Sequence, residues 1–338
     1  MEEKKFDTNS IIGFILLGAI MFWFMYTNQP NPEAEQLQNS TENVENTSVE
    51  LISSELVSAN DDISDATALA KAKQRLGSFA YSRSLGVSDK GTTVLENDVL
   101  KLTFANKGAQ ITEALIKGYK THKALPLHII QDANASFNIN FGTTNNRIFN
   151  TKDLVFQPEL SKNGEKTVLS LKLKVSENEF LEYRYELTPN DYMIGFSVRS
   201  NGLSTVINSS VPLQLDFSLK SFRHEKSIKY ENQNTALYYE KEDGKMDDLS
   251  IAGEDIEEEE NVDWFGFKQH FFSTILLTDN SFKTAQLTSK TLFEDESKDS
   301  LYTKYFNVQA PLALTGGELN YNFQLYIGPN DYNALAVY

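Results

Sequence analysis

Cysteine is missing from all 338 residues, and histidine (four), tryptophan (two) and proline (eight) are scarce. Without cysteine there are no disulfides, thiolate metal sites, sulfur nucleophiles or lipidated signal sequences. With so little histidine, any acid–base or metal chemistry has to come from carboxylates or from those four rings. Basic residues are also short, 31 against 47 acidic ones for a net charge of −16, which argues against a nucleic-acid partner. Against these deficits stand 40% apolar and 12% aromatic residues, the composition of a chain that buries a sizeable core.

Residues 11–26 read IIGFILLGAIMFWFMY, and no charge occurs anywhere between Thr8 and Pro32. At about 1.5 Å per residue the apolar run makes roughly 24 Å of helix, enough to span a bilayer if its polar flanks sit among headgroups. Ile11 and Phe14 open the run, while Trp23 and Tyr26 close it where amphipathic rings favour the interface. The bulky residues 22–26 offer no small-x-small cleavage site, so an uncleaved signal anchor is expected. Lys4 and Lys5 precede the span and the next base is Lys71, which puts the N-terminus inside and the body outside. That topology is a bacterial inner-membrane anchor with a periplasmic body.

Residues 27–88 are rich in Asn, Ser, Thr, Glu and Ala, too poor in apolar side chains to offset chain entropy, and read as a polar acidic tether. Within it residues 65–76 contain good helix formers with an acidic start and a basic end, docked or fluctuating. From 89 to 338 the pattern becomes short alternating runs, among them 92–96, 99–104, 110–116, 167–175, 180–187, 192–198, 271–278, 301–308 and 318–327. About fifteen strands with almost no helical period predict a mainly β body, a large antiparallel two-sheet sandwich preceded by one transmembrane helix.

The charge is not spread over that body. Residues 240–263 alone hold twelve acids and two bases, and the rest of the body is balanced at 23 of each. This segment reads as a mobile acidic loop, since its carboxylates lack the alternating spacing of a calcium loop. His122, His128, His224 and His270 fall in no His-Glu-x-x-His helix and beside no Gly-x-Ser-x-Gly elbow, so no catalytic, cofactor or metal site is assigned. The stretch 262–276 (VDWFGFKQHFFSTIL) packs one Trp and four Phe into fifteen residues. It is either a core strand pair with Trp264 and Phe265 inward, or a partner groove.

Four segments carry a family resemblance: 9–14 (NSIIGF) with the exit YTNQP; 107–119 (KGAQITEALIKGY); 264–272 (WFGFKQHFF); and 325–330 (LYIGPN). In this order they resemble the N-terminal part of the YidC membrane protein insertase family, in the form found in Bacteroidota. The resemblance singles out Gly108, Gly118, Tyr119, Trp264, Gln269, His270, Phe271, Gly328 and Pro329 as structural or partner-docking positions. It implies a β-supersandwich with the shape of sugar mutarotases. It also implies a role in inserting inner-membrane proteins, with lipid, nascent membrane proteins and the Sec translocon as partners. Family insertion runs through five further transmembrane helices, for which no second apolar span exists after residue 26. Residues 331–338 look like the start of the helix leading into them, so the chain is expected to stop before the insertase bundle. The same shape leaves a second reading, a membrane-anchored sugar-binding or aldose-mutarotase-like protein, which would need His and carboxylate groups converging in a cleft.

Overall fold

A computed structural model describes residues 66–293 and 300–331. The anchor positions Ile11, Phe14, Trp23 and Tyr26, most of the tether and residues 332–338 lie outside the described residues. Among the described residues no helix is long and apolar enough to cross a membrane.

Seventeen strands are described, all paired antiparallel. Alternation builds them: β9 (Phe180–Leu187) buries every second residue, Leu181, Tyr183, Tyr185 and Leu187, as a half-buried strand must. β1 (Thr92–Glu96), β2 (Leu100–Ala105), β3 (Ile111–Lys120) and β4 (Pro126–Ile130) form a meander of four.

The larger sheet is organised by one long hairpin. β14 (Glu254–Gln269) runs beside β15 (Phe272–Thr291), from Glu254↔Lys290 to Gln269↔Phe272. On its other edge β15 changes partner midway. Phe272 to Thr278 pair with β17 (Asn320–Pro329), whereas Gln286 to Thr291 pair with β16 (Tyr302–Leu312). Beyond β17 lie β10 (Met193–Asn201), β9, β8 (Lys166–Lys174) and β7 (Gln157–Asn163). Beyond β16 lie β11 (Leu213–Phe222), β5 (Ala135–Gly142) and β6 (Ile148–Asn150). The sheet thus forks at β15, and its two arms face each other. Phe137 on β5 lies 5.2 Å from Phe196 on β10 and 5.7 Å from Tyr183 on β9. Such contacts between arms make the two-layer sandwich core. A cavity of about 20 Å³ remains between the layers, bounded by Phe137, Tyr185, Phe196, Phe217 and Thr274. It has room for a water, not for the ring of a hexose.

Three expectations change. Residues 240–263 are not a loop. β13 (Met246–Asp248) pairs with β12 (Ala236–Lys241), the first half of β14 pairs with the second half of β15, and the Tyr239 hydroxyl lies 2.9 and 3.1 Å from the Glu257 and Glu259 carboxylates. Lys241 neutralises Glu259 at 2.5 Å. Trp264 and Phe265 do not both point inward, because neighbours in a strand face opposite sides. Phe265 is buried, whereas Trp264 is half-buried and donates its indole N–H to the Glu240 carboxylate. Finally, the folded body begins before residue 89. After helix α1 (Ala66–Leu76) and a single 3₁₀ turn, Phe79 and Ala80 at the start of α2 (Ala80–Ser84) are buried, with the Phe79 ring 5.5 Å from both Phe141 and Phe149.

Candidate functional site

Four segments converge where β17 ends. The first is the end of β3, where the register against β4 slips between Ile116 and Lys120. Gly118 occupies this bulge at φ +84°, a left-handed conformation that costs glycine little. The bulge sets the Tyr119 ring edge-on to Phe272, centroids 5.3 Å apart.

The second is the two-residue turn His270-Phe271 that joins Gln269 to Phe272. Gly or Asn is the usual choice for the positive φ of so short a hairpin, yet His270 stands there at φ +27°. Its surroundings hold it. The ring meets Tyr230 edge-on at 5.0 Å, and the Asn330 amide donates to the His270 carbonyl at 2.9 Å. Burial pushes the His270 ring below the ordinary histidine range, with Glu225 opposing and Lys268 adding to the shift. Gln269 is buried, and neither of its amide atoms has a hydrogen-bond partner among the described residues.

The third is the end of β17 itself. Gly328 leaves room for two rings: a Cβ there would come within 2.7 Å of the Tyr326 hydroxyl oxygen and 2.9 Å of Tyr192 Cγ. The Tyr326 hydroxyl donates to the Pro329 carbonyl at 2.6 Å. Proline is tolerated because β10 pairs with β17 only as far as Tyr326, so no ladder bond is lost on that edge. Asn330 then ties the exit to the turn: its backbone N–H donates to the Phe271 carbonyl at 2.7 Å, and its Oδ1 accepts from the Ser273 hydroxyl at 2.6 Å. Burial raises the Tyr192 hydroxyl above the usual tyrosine range, helped by its contact with Tyr119 and by the charge of Asp331.

The fourth runs from the end of β11 through helix α3 (Ile228–Gln233). His224 is buried, and its Nε2 donates to the His128 carbonyl at 2.9 Å, while His122 Nδ1 donates to the His224 carbonyl at 2.8 Å. His128 Nε2 reaches Glu113 Oε1 at 3.2 Å. The Thr103 hydroxyl, with Lys101 and His128 assisting, keeps the Glu113 carboxyl below its ordinary range against desolvation. Glu231 is buried under the helix and accepts from the backbone N–H groups of His224 and Glu225, both at 3.0 Å. All four histidines therefore sit at this end, but three of them are spent on bracing backbone or a neighbouring carboxylate. Chemically this is a brace, made of ring contacts and hydrogen bonds.

Burial pushes the His224 ring down to about 4 and the Glu231 carboxyl up to about 7. A depressed histidine contributes stability that is complete above about 6.5 and lost as pH falls toward 4. A raised carboxyl does the reverse, losing stability as pH rises from about 4.5 to 7. The two effects offset each other across the shared window. In Glu231→Gln the carboxyl term disappears, so the variant is expected to gain on the parent by on the order of 3 kcal/mol between pH 4.5 and 7. Urea unfolding at several pH values measures this, and parallel curves would refute it.

The site gathers Gly118, Tyr119, Gln269, His270, Phe271, Gly328 and Pro329 from three of the four segments that the sequence singled out. Gly108 and Trp264 lie elsewhere. Gly108, at φ +75°, turns β2 into β3 and donates to the Leu154 carbonyl at 2.6 Å, while Trp264 pairs with Leu277 farther down the hairpin. Tyr192 and Glu231 were missed, His224 was weighed without a role, and Asn330 entered only as the last residue of LYIGPN. Asn330 directly follows the Gly-Pro pair and was within reach of the sequence; the other three act through contacts that only folding creates.

A forked antiparallel β-supersandwich, with its last strand pinned to the central hairpin, is the class of domain that these features define. The family model described as the YidC periplasmic domain matches residues 92–338, and the chain belongs to that family. It is 30% identical over 338 residues to the membrane protein insertase YidC of Parabacteroides distasonis, covering 97% of this chain and 52% of the relative. The chain spans about half the length of the curated relatives it matches. Among solved structures it is similar to the periplasmic domain of the Thermotoga maritima YidC, at 11% identity and a TM-score of 0.37, covering 74% of this chain and 91% of that one. It is also similar to a galactose mutarotase-like protein from Lactobacillus casei, at 13% identity and a TM-score of 0.43, covering 71% of this chain and all of that one.

Proposed function

We propose that this chain is the outer module of a membrane protein insertase: a signal anchor with its N-terminus inside, a tether, and a non-catalytic periplasmic body. In this role it holds partners at the outer face of the inner membrane while membrane proteins enter the bilayer, alone or beside the Sec translocon. The family match over residues 92–338 carries the reading. The braced exit of β17 supports it, since a rigid end transmits position to whatever is attached beyond Asn330. The sugar-enzyme alternative gains nothing from the described cavity, which is too small for a hexose, or from histidines engaged in bracing.

The test is a fusion of this chain to the part of the Parabacteroides distasonis relative that lies beyond the match, expressed in a strain depleted of its own insertase. Growth and the insertion of membrane proteins are expected to return. A stably produced fusion that restores neither would sink the reading.

A further inference from the structure

The braced end of the sandwich also exposes aromatic rings among basic side chains. Tyr119, Tyr230 and Phe271 are 40%, 55% and 53% exposed, three of the four large aromatic side chains exposed among the described residues, and Leu125 beside them is 59% exposed. The segments that carry them, 117–126, 222–230 and 268–272, hold seven basic residues against one acid, Glu225, in a chain of net charge −16. They form one patch. His122 bonds to the His224 carbonyl, Tyr230 meets His270, and Tyr119 and His224 both pack on Phe272. Lys120, Lys123, Lys226 and Lys229 are exposed around the rings.

Aromatic rings that leave a face in water while lysines ring them are the composition of an interfacial surface. The rings insert at headgroup depth and the ammonium groups meet anionic phosphates. We infer that this end of the domain rests on an anionic phospholipid surface, with Tyr119, Leu125, Tyr230 and Phe271 at headgroup depth and Lys120 and Lys226 paired with lipid phosphate. The patch also includes the turn to which Asn330 is bonded at the end of β17, so lipid contact fixes the orientation of the sandwich over the membrane. This rests on the reading that the body is held at a membrane.

The absence of cysteine makes the test direct, because a single Leu125→Cys substitution in the full chain carries one nitroxide. Glu177→Cys, in the exposed turn between β8 and β9 at the other end of those strands, is the control. The chain is reconstituted in phosphatidylcholine vesicles with and without phosphatidylglycerol, and collisions with oxygen are compared with collisions with a water-soluble nickel chelate. In anionic vesicles the label at 125 is expected to favour oxygen several-fold over the chelate, while the label at 177 stays in water. Adding Lys120→Glu and Lys226→Glu is expected to return the 125 label to water, since reversing two lysines weakens association roughly 20-fold or more. A label at 125 that stays in water although the chain floats with the vesicles overturns this proposal alone. A chain that does not float overturns the anchored reading with it. Shielding of the label from both reagents, seen only with added membrane proteins, assigns the patch to a protein partner and overturns the lipid assignment.

Discussion

Phe272→Ala is expected to cost about 3–5 kcal/mol of stability and to free the loop between β3 and β4. The ring is only 5% exposed, touches Tyr119 and His224, and pairs in register with Pro329. Removing it takes the common surface from three of the segments that converge on the exit, so the cavity cannot close by shifting one of them. Urea unfolding measures the loss. Limited proteolysis is expected to cut the variant first within residues 117–126, and faster there than the parent. A loss below about 1 kcal/mol with unchanged cleavage would show that the exit is braced by hydrogen bonds alone.

Phe79→Ala is the second large effect, again about 3–5 kcal/mol. Phe79 is 2% exposed and edge-on to Phe141 and Phe149, which joins the segment before β1 to the β5 and β6 edge of one arm. Ser82 adds a hydroxyl bond to the Val155 carbonyl at 2.7 Å, and the Arg147 guanidinium donates to the Gln74 carbonyl at 2.8 Å. If this segment were only tether, the substitution would leave the unfolding midpoint unchanged. Thermal unfolding of the full chain distinguishes the two.

Phe79 shows where sequence reading falls short. A lone Phe in a polar, Ala-rich stretch has too few apolar neighbours to declare a buried face, and its partners Phe141 and Phe149 are more than sixty residues away. β9 is the opposite case. In FLEYRYEL every second side chain is apolar or aromatic, and a period of two admits only a half-buried strand. The segment 254–260 has the same period, but it is concealed because both faces carry carboxylates. Asp255, Glu257 and Glu259 turn toward partial shelter, whereas Glu254, Ile256 and Glu258 face water. Counting charge hides that alternation; only the Tyr239 hydroxyl and Lys241 reveal it. Composition at 262–276 leaves a core pair and a partner groove both open, and strand geometry places adjacent Trp264 and Phe265 on opposite faces.

The chain by itself determined the β class, the antiparallel pairing, the absence of thiol chemistry and the family to which the body belongs. The first three follow from local pattern or composition, which folding does not alter, and the family follows from the resemblance of the segments 9–14, 107–119, 264–272 and 325–330. Tertiary structure decided the rest. β15 exchanging β17 for β16 midway, the meeting of Tyr119 with Phe272, and the burial of His224 and Glu231 all depend on contacts between residues far apart in sequence. The net charge of −16 is a property of the sequence. That seven of its basic residues share one end with three exposed rings is a property of the fold, because only the fold brings 117–126, 222–230 and 268–272 together.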